Sequence, residues 1–130
     1  MPEVLLDFIA REMPDVGDPR HVRLFCCDRL PFFIGERYTG VTLYARVYMR
    51  SSFFPLDLSD RNTLDLLFHE LTHVAQFRRA PVIFPLTYLL QWPRYGYRKL
   101  PAEIEARERA AILAEKFLRL NDPSGSARPR

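Results

Sequence analysis

Cysteine is nearly absent from this chain: two occur in 130 residues, Cys26 and Cys27, side by side. Neighbours in an extended segment project to opposite faces, so this pair is spaced neither as a bridge nor as a metal clamp. The expectation is reduced thiols, in or near a core, in a cytoplasmic setting. Long apolar runs are missing too. The most apolar stretch, Ala80–Leu90, is 11 residues long and broken by Pro81 and Pro85, far short of the ~20 that a bilayer-crossing helix needs. Charge of one sign is scarce, at a net +3. Without a clustered basic face, that argues against a dedicated nucleic-acid binder. Arg78-Arg79 and Arg98-Lys99 read as solvated helix ends and loop charges. A secretory leader is not expected at Met1–Arg11, where Glu3 and Asp7 interrupt a segment with no basic start. No internal repeat is visible.

What remains is the make-up of one small globular domain, with 48% apolar and 27% charged residues. The expected boundaries are a single domain over 1–120 and a disordered tail over 121–130, where two prolines and a glycine accompany no large apolar residue. Leu5, Phe8, Ile9 and Met13 suggest a short amphipathic helix ending near Met13, followed by a turn-rich stretch through Gly17 and Pro19. His21–Cys27 reads as a strand. Val41–Arg50 reads as one continuous strand, with Val41, Leu43, Ala45, Val47 and Met49 facing the core and Thr42, Tyr44, Arg46 and Tyr48 facing solvent. Ser51–Ser59 is a loop, and Ser59 or Asp60 can cap a helix over Asn62–Arg79. A proline-broken aromatic connection, with a short helix around Thr87–Trp92, leads to a second long helix from Pro101 to about Leu120. The expected fold class is α+β: a small mixed domain whose two-to-three-stranded sheet packs on the Asn62–Arg79 helix and on the last helix.

Histidine is also rare, with three in the chain, yet two of them fall in His69-Glu70-Leu71-Thr72-His73. Random shuffling of this composition would produce such an H-E-x-x-H run in roughly a few copies per thousand. Histidines four apart on a helix lie one turn apart on one face, so both imidazoles can reach one cation. Glu70 points beside that face, where a carboxylate can act as a base on water. Leu64, Leu67, Leu71 and Val74 form a separate apolar stripe, so the helix can dock on a core while offering His69 and His73 to a cleft. A catalytic zinc needs a third protein ligand. His21 reads as a surface histidine. Glu103 and Glu105, at the start of the last helix, are the better candidates. Glu103 shares a face with Ala106, Ala110 and Ala114, a strip of small residues that would permit close approach of the two helices.

The run His69–Gln76, with Gly96-Tyr97 and then Glu103-Ile104-Glu105-Ala106, resembles compact zinc metallopeptidase domains of the gluzincin type over roughly residues 60–115. The resemblance implies one Zn2+ ion held by His69, His73 and Glu103, with Glu70 as general base and a peptide or protein as substrate. One position departs from the pattern. Where such domains carry an aspartate four residues after the ligand glutamate, this chain has Arg107. That aspartate accepts a hydrogen bond from a ligand histidine, which an arginine cannot do. Asp65, a backbone carbonyl or water is left for the role. In the connection, Phe84, Tyr88 and Trp92 read as a plug over the helix pair, whereas Tyr97 is a candidate for stabilising an oxyanion. A second reading is a zinc-binding module that is catalytically weak or silent and serves as an interaction surface.

Overall fold

The computed structural model describes residues 1–31, 38–96 and 99–122, with residues 92–95 described by their backbone. Among the described residues, four helices and three strands make a small α+β domain. In chain order these are α1 (Glu3–Glu12), β1 (Arg23–Cys27), β2 (Gly40–Leu43), β3 (Arg46–Arg50), α2 (Arg61–Arg79), α3 (Ile83–Tyr95) and α4 (Pro101–Asn121). Short 3-10 turns at Pro14–Val16, Pro19–His21 and Ser51–Phe53 join them.

Helix α2 begins where the sequence places a cap. The Asp60 carboxylate accepts from the Thr63 backbone N–H at 3.0 Å and from its hydroxyl at 2.7 Å, which satisfies one of the orphan donors of the first turn. Its stripe of Leu64, Leu67, Leu71 and Val74 is buried. Around it sit Leu5, Ile9 and Met13 from the α1 segment, Val47 and Met49 from β3, and Leu113 and Phe117 from α4. Phe8, Phe68 and Phe117 meet within this core, Phe8 and Phe117 edge to face at 5.1 Å between ring centres. Such contacts add about 0.5–1.5 kcal/mol to the burial itself. The alanine strip does what its size suggests. Ala106, Ala110 and Ala114 are all buried where α4 runs against α2.

The sheet departs from the sequence expectation. Val41–Arg50 is two strands, not one. The chain reverses at Tyr44-Ala45, with Tyr44 at a φ of 56°, and β2 pairs antiparallel with β3 so that Thr42 lies opposite Val47 and Gly40 opposite Met49. Paired residues share a face, and a two-residue reversal therefore inverts the parity of the first half. Val47 and Met49 face the core as expected. On β2, however, Gly40 and Thr42 share their face, while Val41 pairs with Tyr48 and Leu43 with Arg46 on the other. Strand β1 pairs parallel to β3, giving the order β1-β3-β2 with β2 at an edge.

Smaller differences follow local chemistry. The strand expected from His21 starts at Arg23, because Pro19–His21 forms a 3-10 turn capped by the Asp18 side chain. Cys26 is exposed and Cys27 half-buried, so Cys26 is not a core residue. Helix α3 is longer than the expected Thr87–Trp92. Pro85 lies in its first turn, where no intrahelical N–H is needed. Among the described residues, no helix is long and apolar enough to cross a membrane. The expected tail lies outside the described residues from position 123 onward.

Candidate metal centre

Glu103 sits in the first turn of α4, where the free N–H groups of the helix favour a carboxylate, and its side chain is 2% exposed. From there it spans both histidines of α2. The His69 Nε2 and His73 Nε2 atoms each lie 2.9 Å from a Glu103 carboxylate oxygen, His69 on Oε1 and His73 on Oε2. The Tyr88 hydroxyl of α3 donates to Oε2 at 2.9 Å. Three of the expected site residues are thus brought together by two helices.

Burial alone would lower the pKa of His73, but the hydrogen bond to Glu103 and the charges of Glu70 and Glu103 outweigh it and push the value up to about 9. Burial would likewise raise Glu103, yet its hydrogen bonds to the two imidazoles hold it well below the usual carboxylate range. A cation binding here would compete with the proton on His73 Nε2.

The donor set fits a divalent metal. Two imidazole nitrogens and one carboxylate form a familiar three-ligand set for catalytic zinc, and one ligand atom from each lies within 4.8 Å of the others. Zn–N and Zn–O bonds of about 2.0–2.1 Å in a tetrahedron set the donors about 3.3 Å apart. A metal would therefore require these side chains to adjust: the 2.9 Å contacts would open by about 0.4 Å, and the three ligand atoms, now within 4.8 Å of one another, would close on a common centre.

Glu70 is 3% exposed and does not join the three. Its Oε1 accepts from the Thr42 hydroxyl at 2.7 Å, which holds the carboxylate beside the imidazoles. Gly40 makes room for it: a methyl group there would lie 3.2 Å from Glu70 Oε2. Two recesses open on either side of Glu70. One, of about 270 Å³, is lined by Val41, Phe77, Phe84, Pro85, Tyr88 and Leu89 next to His73. The other is more polar and carries Asn62, Asp65 and Arg107 next to His69.

Some side chains have roles the sequence did not disclose. Thr42 was expected to face solvent, and the parity inversion turns it to Glu70 instead. Tyr88 was expected to be part of a plug; its ring packs on Phe84, but its hydroxyl is on Glu103. For His73 the acceptor lies on its own helix, whereas Asp65, a turn before His69, is engaged with Arg61 at 3.3 Å. His73 Nδ1 donates to Gln76 Oε1 at 2.7 Å, and an i, i+3 glutamine on the same helix was there to be read. Glu105 faces Gln76 and Arg79, away from the imidazoles. His21 is on the surface, its side chain 82% exposed. Tyr97 falls outside the described residues. Comparison with protein-family models, curated proteins and solved structures finds no match.

Proposed function

We propose that this chain is a zinc-dependent metallopeptidase domain of the minimal gluzincin type, holding one ion through His69, His73 and Glu103 and hydrolysing peptide bonds. The observation that carries the reading is one buried carboxylate from α4 meeting both imidazoles of α2 at 2.9 Å, with the Glu70 carboxylate anchored beside them. Zinc, when bound, supplies Lewis acidity: it lowers the pKa of a water and polarises a carbonyl. The rest belongs to the chain. Glu70 accepts a proton on its carboxylate and returns it to the leaving amine. Thr42 fixes where that carboxylate points. Tyr88 holds one oxygen of Glu103, which limits the rotation of the ligand carboxylate.

An extended substrate fits the edge of β2 that no described strand pairs with, since β3 occupies its other side. A peptide there runs past Gly40 and Thr42, with the apolar recess taking one large side chain. Tyr97 is the candidate for contacting the oxyanion. The unbridged cysteines suit a reducing, cytoplasmic setting.

The test is a chelator-sensitive, zinc-restored cleavage assay over a peptide library, run with Glu70→Gln in parallel. Wild type is expected to cleave. Glu70→Gln is expected to keep its zinc and lose about 10²–10⁴-fold in rate. Bound zinc with no cleavage across the library would favour a silent binding module. Failure to take up zinc would remove the reading altogether.

A further inference from the structure

Gln76 lies three residues after His73 and is 3% exposed. A glutamine amide has two different ends, an acceptor oxygen and a donor NH2. Everything around this one dictates which end points where. On one side stand two pure acceptors: the Ala102 carbonyl at 3.1 Å and the Glu105 carboxylate at 2.6 Å, both placed to receive the Nε2 hydrogens. The two N–H bonds are thereby used. Glu105 cannot turn away freely, because Arg79 donates to the same oxygen at 3.0 Å. The only end left for His73 is the oxygen, and it lies 2.7 Å from Nδ1. An acceptor at Nδ1 requires a hydrogen there. In a neutral imidazole carrying its hydrogen on Nδ1, the lone pair is on Nε2, the atom facing Glu103 and the candidate metal position.

We infer that Gln76 is the positioning residue of the centre: a polarised chain from Arg79 through Glu105 to the Gln76 amide selects the His73 tautomer whose Nε2 can bind a metal. This rests on the metal reading above. A carboxylate could accept from His73, but a neutral amide can do so only if its other end is tied down, and Glu105 and Ala102 tie it. The two neighbouring glutamates of α4 thereby divide the work: Glu103 faces the metal position, and Glu105 orients the amide behind the second ligand. An amide also donates less electron density than a carboxylate, so His73 is a less basic ligand than one backed by aspartate. The bound cation is left correspondingly more electrophilic.

The experiment measures zinc affinity by chelator competition and the cobalt-substituted absorption spectrum, alongside unfolding of the metal-free chain. Gln76→Leu is expected to lower zinc affinity about 10–100-fold, and in the zinc-loaded protein to abolish the downfield ring N–H resonance of His73. Glu105→Ala changes only a solvent-accessible group. It should remain folded and still lose affinity several-fold, by freeing the amide to flip. Gln76→Glu alone sets a carboxylate against Glu105 and should also weaken binding. Combined with Glu105→Gln, which restores a donor opposite it, affinity should recover to the wild-type value or better. If folded Gln76→Leu and Glu105→Ala bind zinc within twofold of wild type with unchanged cobalt spectra, the relay is refuted while the metal centre stands. If wild type itself takes up no zinc, the metal reading falls and the relay with it.

Discussion

The hydrogen bond from Thr42 to Glu70 offers the sharpest separation between holding a metal and using it. Thr42→Val preserves the shape of the side chain and deletes one donor. That donor lies 2.7 Å from a carboxylate oxygen, and hydrogen bonds to charged groups contribute about 1.5–3 kcal/mol. Glu70 is 3% exposed, so water is poorly placed to replace the lost partner, and the upper part of that range, about 2–3 kcal/mol, is expected. For a domain of this length, at about 3–5 °C per kcal/mol, the melting temperature should fall by roughly 6–15 °C. If half to all of the loss reaches the transition state, turnover drops about 5–150-fold. The hydrogen bonds of Thr42 go to Glu70 and to none of His69, His73 and Glu103, so zinc affinity should stay within about threefold. Chemical denaturation, chelator competition and peptide turnover measure the three quantities, with Thr42→Ser, which keeps the hydroxyl, as the variant that restores them. Equal stability and turnover for Thr42→Val and Thr42→Ser would show the bond to be idle. A parallel collapse of zinc affinity would refute the division between ligands and base.

Three further outcomes follow from the packing. Gly40→Ala places a methyl 3.1–3.3 Å from Leu66 and the Glu70 carboxylate, so Glu70 must shift by a few tenths of an ångström; turnover should fall several-fold with zinc retained, as kinetics and metal titration would record. Ala106→Leu overfills the buried α2–α4 contact and should cost about 1–3 kcal/mol in denaturant unfolding, with weaker zinc binding because Glu103 is carried outward. The Asp15 carboxylate, bound by the Arg109 guanidinium at 2.6 Å, is held below its ordinary range chiefly by that hydrogen bond. Stability from a depressed folded pKa is fully present above the unfolded value and is lost as pH falls through the folded one, so Asp15→Asn should be less stable than wild type at pH 7 and converge with it once pH has fallen below that depressed value. This pair is partly exposed, which keeps the difference below about 1 kcal/mol and makes it shrink with salt.

The helical half of the molecule was legible because its signals are periodic. The stripe of Leu64, Leu67, Leu71 and Val74, the cap at Asp60 and the alanine strip of α4 each carry their own spacing, and the two histidines inherit their common face from the same helix. Glu103 could be preferred over Glu105 for the same reason. The strand half was not legible. Tyr44-Ala45 contains none of the glycine, asparagine or aspartate that marks a two-residue reversal, and the alternation runs through it unbroken, so the hairpin read as one strand. That single error hid Thr42 and Gly40 from the site. Tyr88 was hidden otherwise: Pro85 looked like a helix breaker, although in a first turn it is not. Gln76 was missed because the acceptor was sought four residues after Glu103 and then left to Asp65, a backbone carbonyl or water, not to a neutral amide three residues past His73.

The reversal at Tyr44-Ala45 makes residue count matter more there than residue identity. Val47 and Met49 pin β3 to the interior, so β2 is hung from them by the length of the turn alone. One inserted residue would rotate the leading strand by half a pleat, sending Thr42 outward and bringing an aliphatic side chain against the Glu70 carboxylate. A chain altered in this way could keep its interior and the His69, His73 and Glu103 cluster and still have lost the hydroxyl that orients Glu70.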